Sequence, residues 1–223
     1  MKYKKILIIG GSGFFGKSFL KLFLNKSLEK WGISDVLIMS RNPEVLNKIF
    51  GKNNLKNVTL YKGDMSQAKD LPLCDYIIHA ATSADTDLRI NQKNFNNIKD
   101  NNIENISNFL RIIKKKKFQK TKIIYMSSGA VYANNTNLTK IKETDLIFSI
   151  KNFHPNCNNL YRYIKIISEN LIFNFNHKLK MKIAIVRCFA FVGEFLPLNR
   201  NYFIGNLFHS ILKKKPMTIT SSN

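Results

Sequence analysis

Acidic residues are scarce in this 223-residue chain: 14 Asp and Glu stand against 36 Lys and Arg, a formal net charge of +22. Cysteine is scarcer, with three residues, Cys74, Cys157 and Cys188, set far apart and in no Cys-x-x-Cys spacing. An odd, scattered set excludes a disulfide framework and fits a reducing compartment, so a cytoplasmic location is expected. His79, His154, His177 and His209 have no metal-ligand spacing, and no metal is expected. No stretch reaches the roughly 18 consecutive apolar residues of a spanning helix. The start imitates a signal peptide briefly, but the run Ile6-Leu7-Ile8-Ile9 dissolves into glycines and no small-residue cleavage site follows. A soluble, unexported chain without a membrane partner is expected. Arginine is also rare, 6 residues against 30 lysines. Because nucleic-acid readout favours the planar guanidinium fork, the charge reads as a usage bias and no specific nucleic-acid partner is expected. The blocks Lys114–Lys117 and Lys213–Lys215 fall at the ends of helical patterns, where cations complement the negative helix terminus.

What the chain has in quantity is short aliphatic runs alternating with amphipathic helical patterns. Lys4–Ile9 predicts a strand, followed by a glycine turn and a helix to about Lys30. Further strands are predicted over Val36–Ser40, Val58–Tyr61, Tyr76–His79, Lys122–Met126 and Ile183–Arg187. Helices are predicted over Asn96–Ile113, Leu160–Phe175 and Tyr202–Leu212, the first with Ile106, Phe109 and Ile113 on its apolar side. Such alternation implies right-handed crossovers and a parallel sheet with helices on both faces, a doubly wound α/β fold. Residues 133 to about 155 lack periodicity and read as a long loop after a strand end, where binding function concentrates. Residues 216–220 read as a strand-like stub.

Three motifs carry chemistry. Gly10-Gly11-Ser12-Gly13-Phe14-Phe15-Gly16 follows a strand and opens a helix. Gly10 or Gly11, with Gly13, lets the backbone turn sharply and approach a pyrophosphate seated on exposed helix amides. Gly16 is expected to let that helix pack closely on the sheet. The end of the second strand lacks the Asp or Glu that binds ribose hydroxyls, since Asp35 stands at the strand's beginning. Ser40 and Arg41 occupy that end, and the Arg41 cation suits a 2′-phosphate, which leans toward NADP over NAD. Third, Tyr161 and Lys165 lie one turn apart on one helix face. With 8 Tyr and 30 Lys, about one such spacing arises by chance. Its value comes from position, because Ser127-Ser128-Gly129-Ala130-Val131-Tyr132 ends the preceding strand and both segments should meet at the carboxyl edge of the sheet.

Together with Gly63-Asp64 and His79-Ala80-Ala81, these motifs stand in the order of the extended short-chain dehydrogenase/reductases. More narrowly, the chain resembles the NAD-dependent epimerase/dehydratase family that modifies nucleotide sugars. The resemblance runs from about residue 4 to the end and includes Arg187–Gly193. It implies a Rossmann-type domain over residues 1–190 and the beginning of a substrate-binding region over residues 191–223. Longer family members close a small substrate domain there, so an incomplete one, with impaired turnover, is expected here. The resemblance also implies NAD or NADP as cofactor, a nucleotide-sugar substrate, and it allows a homodimer. Gly10, Gly13 and Gly16 would hold the pyrophosphate, with Phe14 and Phe15 backbone groups beside it. Asp64 and Met65 would contact adenine, and Ala80 and Ala81 would line the cofactor channel. Ser128, Tyr161 and Lys165 would form the catalytic group, supported by Asn102, and Tyr161 and Lys165 would also touch the cofactor, Lys165 orienting its ribose. Tyrosine ordinarily ionises near pH 10, and a neighbouring ammonium favours its phenolate. Tyr161 would then exchange a proton with a sugar hydroxyl while hydride moves to or from nicotinamide. Dehydratases of the family carry an Asp-Glu pair after the catalytic Ser or Thr. Gly129-Ala130 stand there instead, which favours epimerisation or ketoreduction over dehydration. Ala190, Glu194 and Asn105 are further departures, and a catalytically silent dinucleotide-binding protein is the alternative from another class.

Overall fold

The computed structural model describes residues 4–82, 92–132, 140–143, 153–198 and 203–216. Six parallel strands form one sheet: β1 (Lys4–Ile9), β2 (Ile33–Ser40), β3 (Val58–Lys62), β4 (Tyr76–His79), β5 (Lys122–Ser128) and β6 (Lys182–Cys188). Among the described residues five α-helices accompany them: α1 (Phe14–Leu24), α2 (Val45–Phe50), α3 (Gln92–Ile113), α4 (Leu160–Leu179) and α5 (Phe203–Lys213). The sheet order is β3-β2-β1-β4-β5-β6, so the winding reverses between β1 and β4. Chain leaving β1 therefore enters a crevice at the carboxyl edge, the usual place for a ligand in this architecture.

Why β1 sits centrally follows from its side chains. Residues alternate between faces along a strand. Leu7 and Ile9 belong to one core with Phe109, Ile113 and Ile172 of α3 and α4, while Ile6 and Ile8 belong to another with Leu20 of α1 and Leu46 of α2. A strand buried on both faces needs an unbroken aliphatic run, and Ile6-Leu7-Ile8-Ile9 supplies one.

Several boundaries differ from the sequence reading. α1 stops at Leu24, not Lys30, because Lys26 takes a left-handed conformation (φ 58). The Lys26 and Ser27 amides donate back to the Phe23 and Leu22 carbonyls, ending the helix as a glycine would. A 3-10 turn over Glu29–Trp31 then feeds β2, which starts three residues before the expected Val36. The short helix α2 was not expected; its single buried residue, Leu46, is too little to impose a periodic pattern. α3, α4, β5 and β6 are each longer than expected by a few residues. The stub at 217–220 and most of the 133–155 loop lie outside the described residues. The lysine block after α3 does more than face a helix end: Lys115 and Lys117 pair with Asp70 at 3.1 and 2.6 Å. The Lys117 bond, first of all, holds the Asp70 carboxyl far below its ordinary range.

Both faces of a parallel sheet are ordinarily covered. Here the α1 side of β5 and β6 is partly bare among the described residues, with Ile124 and Val186 exposed. An apolar groove of about 670 Å³ runs there, lined by Ile6, Phe19, Trp31, Tyr76, Ile124 and Ala184 among others. It lies toward the amino ends of the strands, away from the catalytic-type motifs. Among the described residues no helix is long and apolar enough to cross a membrane.

Candidate active site

The glycine turn is shaped by close backbone contacts. Gly10 has φ +85, and a Cβ there would lie 2.7 Å from the Ala81 nitrogen and 2.8 Å from the Ala80 carbonyl carbon. No L-side chain tolerates both conditions. Gly16 departs from expectation: the space for its Cβ is occupied by the backbone of Gly11, not by the sheet. Gly11 is the residue that meets the sheet, since its Cβ would collide with the Ile38 side chain. The sequence offers Gly11 only as an alternative to Gly10 in the turn, not as the glycine that meets the sheet. Gly13 is the N-cap of α1 and brings no capping side chain, and no acidic residue occupies the first turn. The first amides of α1 thus have no partner from the helix itself, and the positive end of its dipole faces the crevice. Such a cradle fits a diphosphate. The rings of Phe14 and Phe15 pack on Phe191, at 6.0 and 4.8 Å between centroids, so these residues offer backbone rather than side chain to a ligand.

At the end of β2, the hydroxyls of Ser40 and Ser12 lie 2.5 Å apart and tie the glycine turn to the second strand. Arg41 follows in an exposed position at the same edge. Asp35 is remote from it and pairs with Lys5 at 3.3 Å. Asp64 caps the 3-10 turn Met65–Gln67, accepting from the Ser66 amide at 3.0 Å and hydroxyl at 2.9 Å. Met65 buries its side chain in the core and gives its carbonyl to Asn108, so its side chain does not line the crevice. Ala80 and Ala81 abut Gly10, as described, and flank the cradle.

The end of β5 and the start of α4 complete the edge. Ser128 opens a 3-10 turn over Gly129–Val131, its hydroxyl accepting from the Ala130 amide at 3.1 Å. α4 packs on that turn. Lys165 is almost wholly buried, donating to the Thr82 hydroxyl and the Met126 carbonyl, both at 2.7 Å. Its ammonium lies 5.8 Å from the centre of the Tyr161 ring and 5.2 Å from that of Tyr125. Burial pushes the Lys165 ammonium down to about 8, against an upward pull from Cys188 and Glu169. Asn102 is buried on α3, its amide nitrogen donating to the Ile98 carbonyl. His79, the last residue of β4, is buried edge-on to Phe109 at 4.7 Å, and neither ring nitrogen makes a hydrogen bond. Burial, then the Lys165 charge, pushes it down to about 3. A neutral core imidazole, rather than a ligand or acid, is what this position holds.

Thr82 and a set comprising Ser127, Tyr132, Glu169 and Arg187 are residues near the site that sequence reading gave no role. Glu169 accepts from the Ser127 hydroxyl at 2.5 Å and pairs with Arg187 at 2.8 Å. The one available signal for Glu169 was its place one turn beyond Lys165 on the same helix face. Phe189 is mostly exposed, stacks on Tyr132 at 5.9 Å and fills the space beside Gly129, where a Cβ would lie 2.5 Å from its ring.

A parallel sheet reversing at an uncapped glycine turn, with a buried lysine and a tyrosine at the same edge, defines a protein of the doubly wound, Rossmann-type class. Within that class the chain belongs to the NAD dependent epimerase/dehydratase family, whose profile matches residues 6–223. An uncharacterized protein of Methanocaldococcus jannaschii, MJ1055, is 29% identical over 216 residues, covering 91% of this chain and 61% of its own length. The UDP-N-acetylglucosamine 4-epimerase of Methanobrevibacter ruminantium superposes with a TM-score of 0.76 at 22% identity, over 98% of this chain and 66% of that one. The UDP-glucuronic acid 4-epimerase of Bacillus cereus, solved with NAD, gives 0.67 at 22% identity, over 96% and 65%. The dTDP-glucose 4,6-dehydratase of Bacillus anthracis, also solved with NAD, gives 0.71 at 17% identity, over 95% and 62%. The chain thus spans less than two thirds of the length of each.

Proposed function

We propose that the chain binds NAD(P) and moves hydride and a proton reversibly at one carbinol carbon of a nucleotide sugar, as an epimerase or ketoreductase. The observation that carries this reading is the Lys165 ammonium, buried 5.8 Å from the Tyr161 ring at the edge where the glycine cradle opens. A dinucleotide fits the residues present: the uncapped amides of α1 take the diphosphate, and Gly13 brings no side chain to the cap position. Bound there, it supplies the hydride acceptor or donor.

The remaining work belongs to the chain. Tyr161 takes the proton of the sugar hydroxyl, and the Lys165 charge favours the phenolate that does so. Ser128 hydrogen-bonds the same oxygen, and in the reverse direction Tyr161 returns the proton. Asn102 belongs to this group as a support from α3. Gly129 and Ala130 bring no acid–base side chain to the turn after Ser128, which supports epimerisation or ketoreduction over dehydration. The absence of a carboxylate at the end of β2 and the exposed Arg41 favour acceptance of NADP beside NAD.

Calorimetry with NAD and NADP, followed by incubation with UDP-N-acetylglucosamine as probe and proton NMR of the sugar, tests the reading. Tyr161→Phe should lower turnover by about a hundredfold to ten-thousandfold and leave cofactor affinity within about twofold. Undiminished turnover in that variant, or no binding of either dinucleotide, would overturn it. Binding without turnover of any nucleotide sugar would instead mark a silent dinucleotide-binding protein.

A further inference from the structure

Directly behind the Ser128 turn lies a charged cluster held by three elements. The Glu169 carboxylate on α4 accepts from the Ser127 hydroxyl of β5 at 2.5 Å. From β6, Arg187 donates to it through Nε at 3.2 and 3.1 Å and through Nη2 at 2.8 Å. The remaining nitrogen, Nη1, reaches forward and donates to the Tyr132 hydroxyl at 2.8 Å and the Glu143 carbonyl at 3.0 Å. Ser127 and Arg187 face each other in the register of β5 and β6. Tyr132 closes the turn that Ser128 opens, its amide donating to the Gly129 carbonyl at 3.0 Å. Glu169 lies one helical turn from Lys165 and two from Tyr161 on the same side of α4.

The setting differs from that of the other ion pairs among the described residues. Lys5–Asp35 and Lys115–Asp70 join exposed groups, whereas Glu169 is 8% exposed. Removing two charges from water offsets most of their attraction, so a buried pair is a poor source of stability and serves best to fix geometry. The geometry here is specific: a guanidinium fork occupies the carboxylate from one side and the phenol of Tyr132 from the other, and a lysine could not do both.

We propose that Arg187 and Glu169 are positioning residues that fix the Ser128–Tyr132 turn against the Tyr161–Lys165 face of α4, so that hydroxyl and phenol converge on one substrate oxygen. This rests on the acid–base reading above. Convergence of two donors on one atom tolerates little error, and a displacement of about 1 Å can cost a hundredfold in rate.

Two variants of the full chain test it. Tyr132→Phe removes one hydrogen bond and keeps the ring that the guanidinium covers at 4.8 Å. Arg187→Lys keeps the charge and loses the fork. With NAD bound and UDP-N-acetylglucosamine as probe, each should lower kcat about tenfold or more and leave KM and NAD affinity within about twofold. In the cofactor-free chain, exchange of the Ala130 and Tyr132 amide hydrogens should quicken about tenfold, while those of β1 and β4 keep their rates. An unchanged kcat would overturn the proposal, as would a loss of kcat and NAD affinity in step with a global rise in exchange. If the parent chain turns over no nucleotide sugar, the acid–base reading fails alone. The clamp is then judged by amide exchange, and unchanged rates at Ala130 and Tyr132 overturn it.

Discussion

At the scale of single residues, the buried titratable groups beside the site set how the protein responds to pH. His79 titrates near 3 in the folded chain and near 6.5 when exposed. Between those values the unfolded chain holds a proton that the native one lacks, so this group's contribution to stability is lost as pH falls from 6.5 toward 3. The slope is at most about 1.4 kcal/mol per pH unit. His79→Leu should remove that slope and be neutral or stabilising at pH 7.5, where it deletes two unsatisfied polar atoms. Urea unfolding of both forms at pH 7.5, 5.5 and 4.5 checks this; parallel curves would contradict the assignment. Lys165 behaves in the opposite range, since stability rises from pH 8 to 10.5 while only the unfolded chain keeps its proton. Legibility at this scale divides along sequence distance. Tyr161 and Lys165 were readable because their one-turn spacing falls after the strand that ends in Ser127-Ser128. Thr82, 83 residues from the lysine it receives, had no local signature. The bond between Ser127 and Glu169, across 42 residues, likewise had none, although Glu169 itself stands one turn beyond Lys165.

At the scale of elements, the turn from β1 into α1 works as an interlock of three glycines. Gly10 lies against Ala80 and Ala81, Gly11 against Ile38, and Gly16 against Gly11. A methyl group at Gly16 meets backbone rather than a yielding side chain, so Gly16→Ala should displace the start of α1 from the turn. The expected result is a loss of dinucleotide affinity of at least tenfold, with destabilisation of about 1–3 kcal/mol from overpacking. Calorimetry paired with denaturant unfolding measures both, and intact affinity would contradict the interlock. The three glycines were visible in the sequence, but which one touches the sheet was not, because that depends on the angle at which the helix leaves the turn. Likewise the end of α1 was hidden: Lys26 in a left-handed conformation carries none of the signal that a glycine would have given.

At the scale of the whole molecule, the alternation of strands and helices fixed the sheet class, whereas α2 and the early start of β2 had too few patterned residues to show. Tertiary cover was not legible at all. Ile124 stands between buried neighbours and Val186 between partly buried ones, in aliphatic runs like those of core strands, yet among the described residues both face an open flank. Ile124→Lys combined with Val186→Lys should lower the emission of a bound apolar dye severalfold with little change in melting temperature, and unaltered emission would place the dye elsewhere. That flank has a consequence for colloidal behaviour. A surplus of 22 positive charges keeps copies apart in dilute buffer, but this repulsion reaches only about 8 Å at physiological ionic strength. Adding sodium chloride should therefore turn the pairwise force between molecules from repulsive to attractive, and light scattering would record the chain salting out under conditions that leave better-sheathed proteins dispersed.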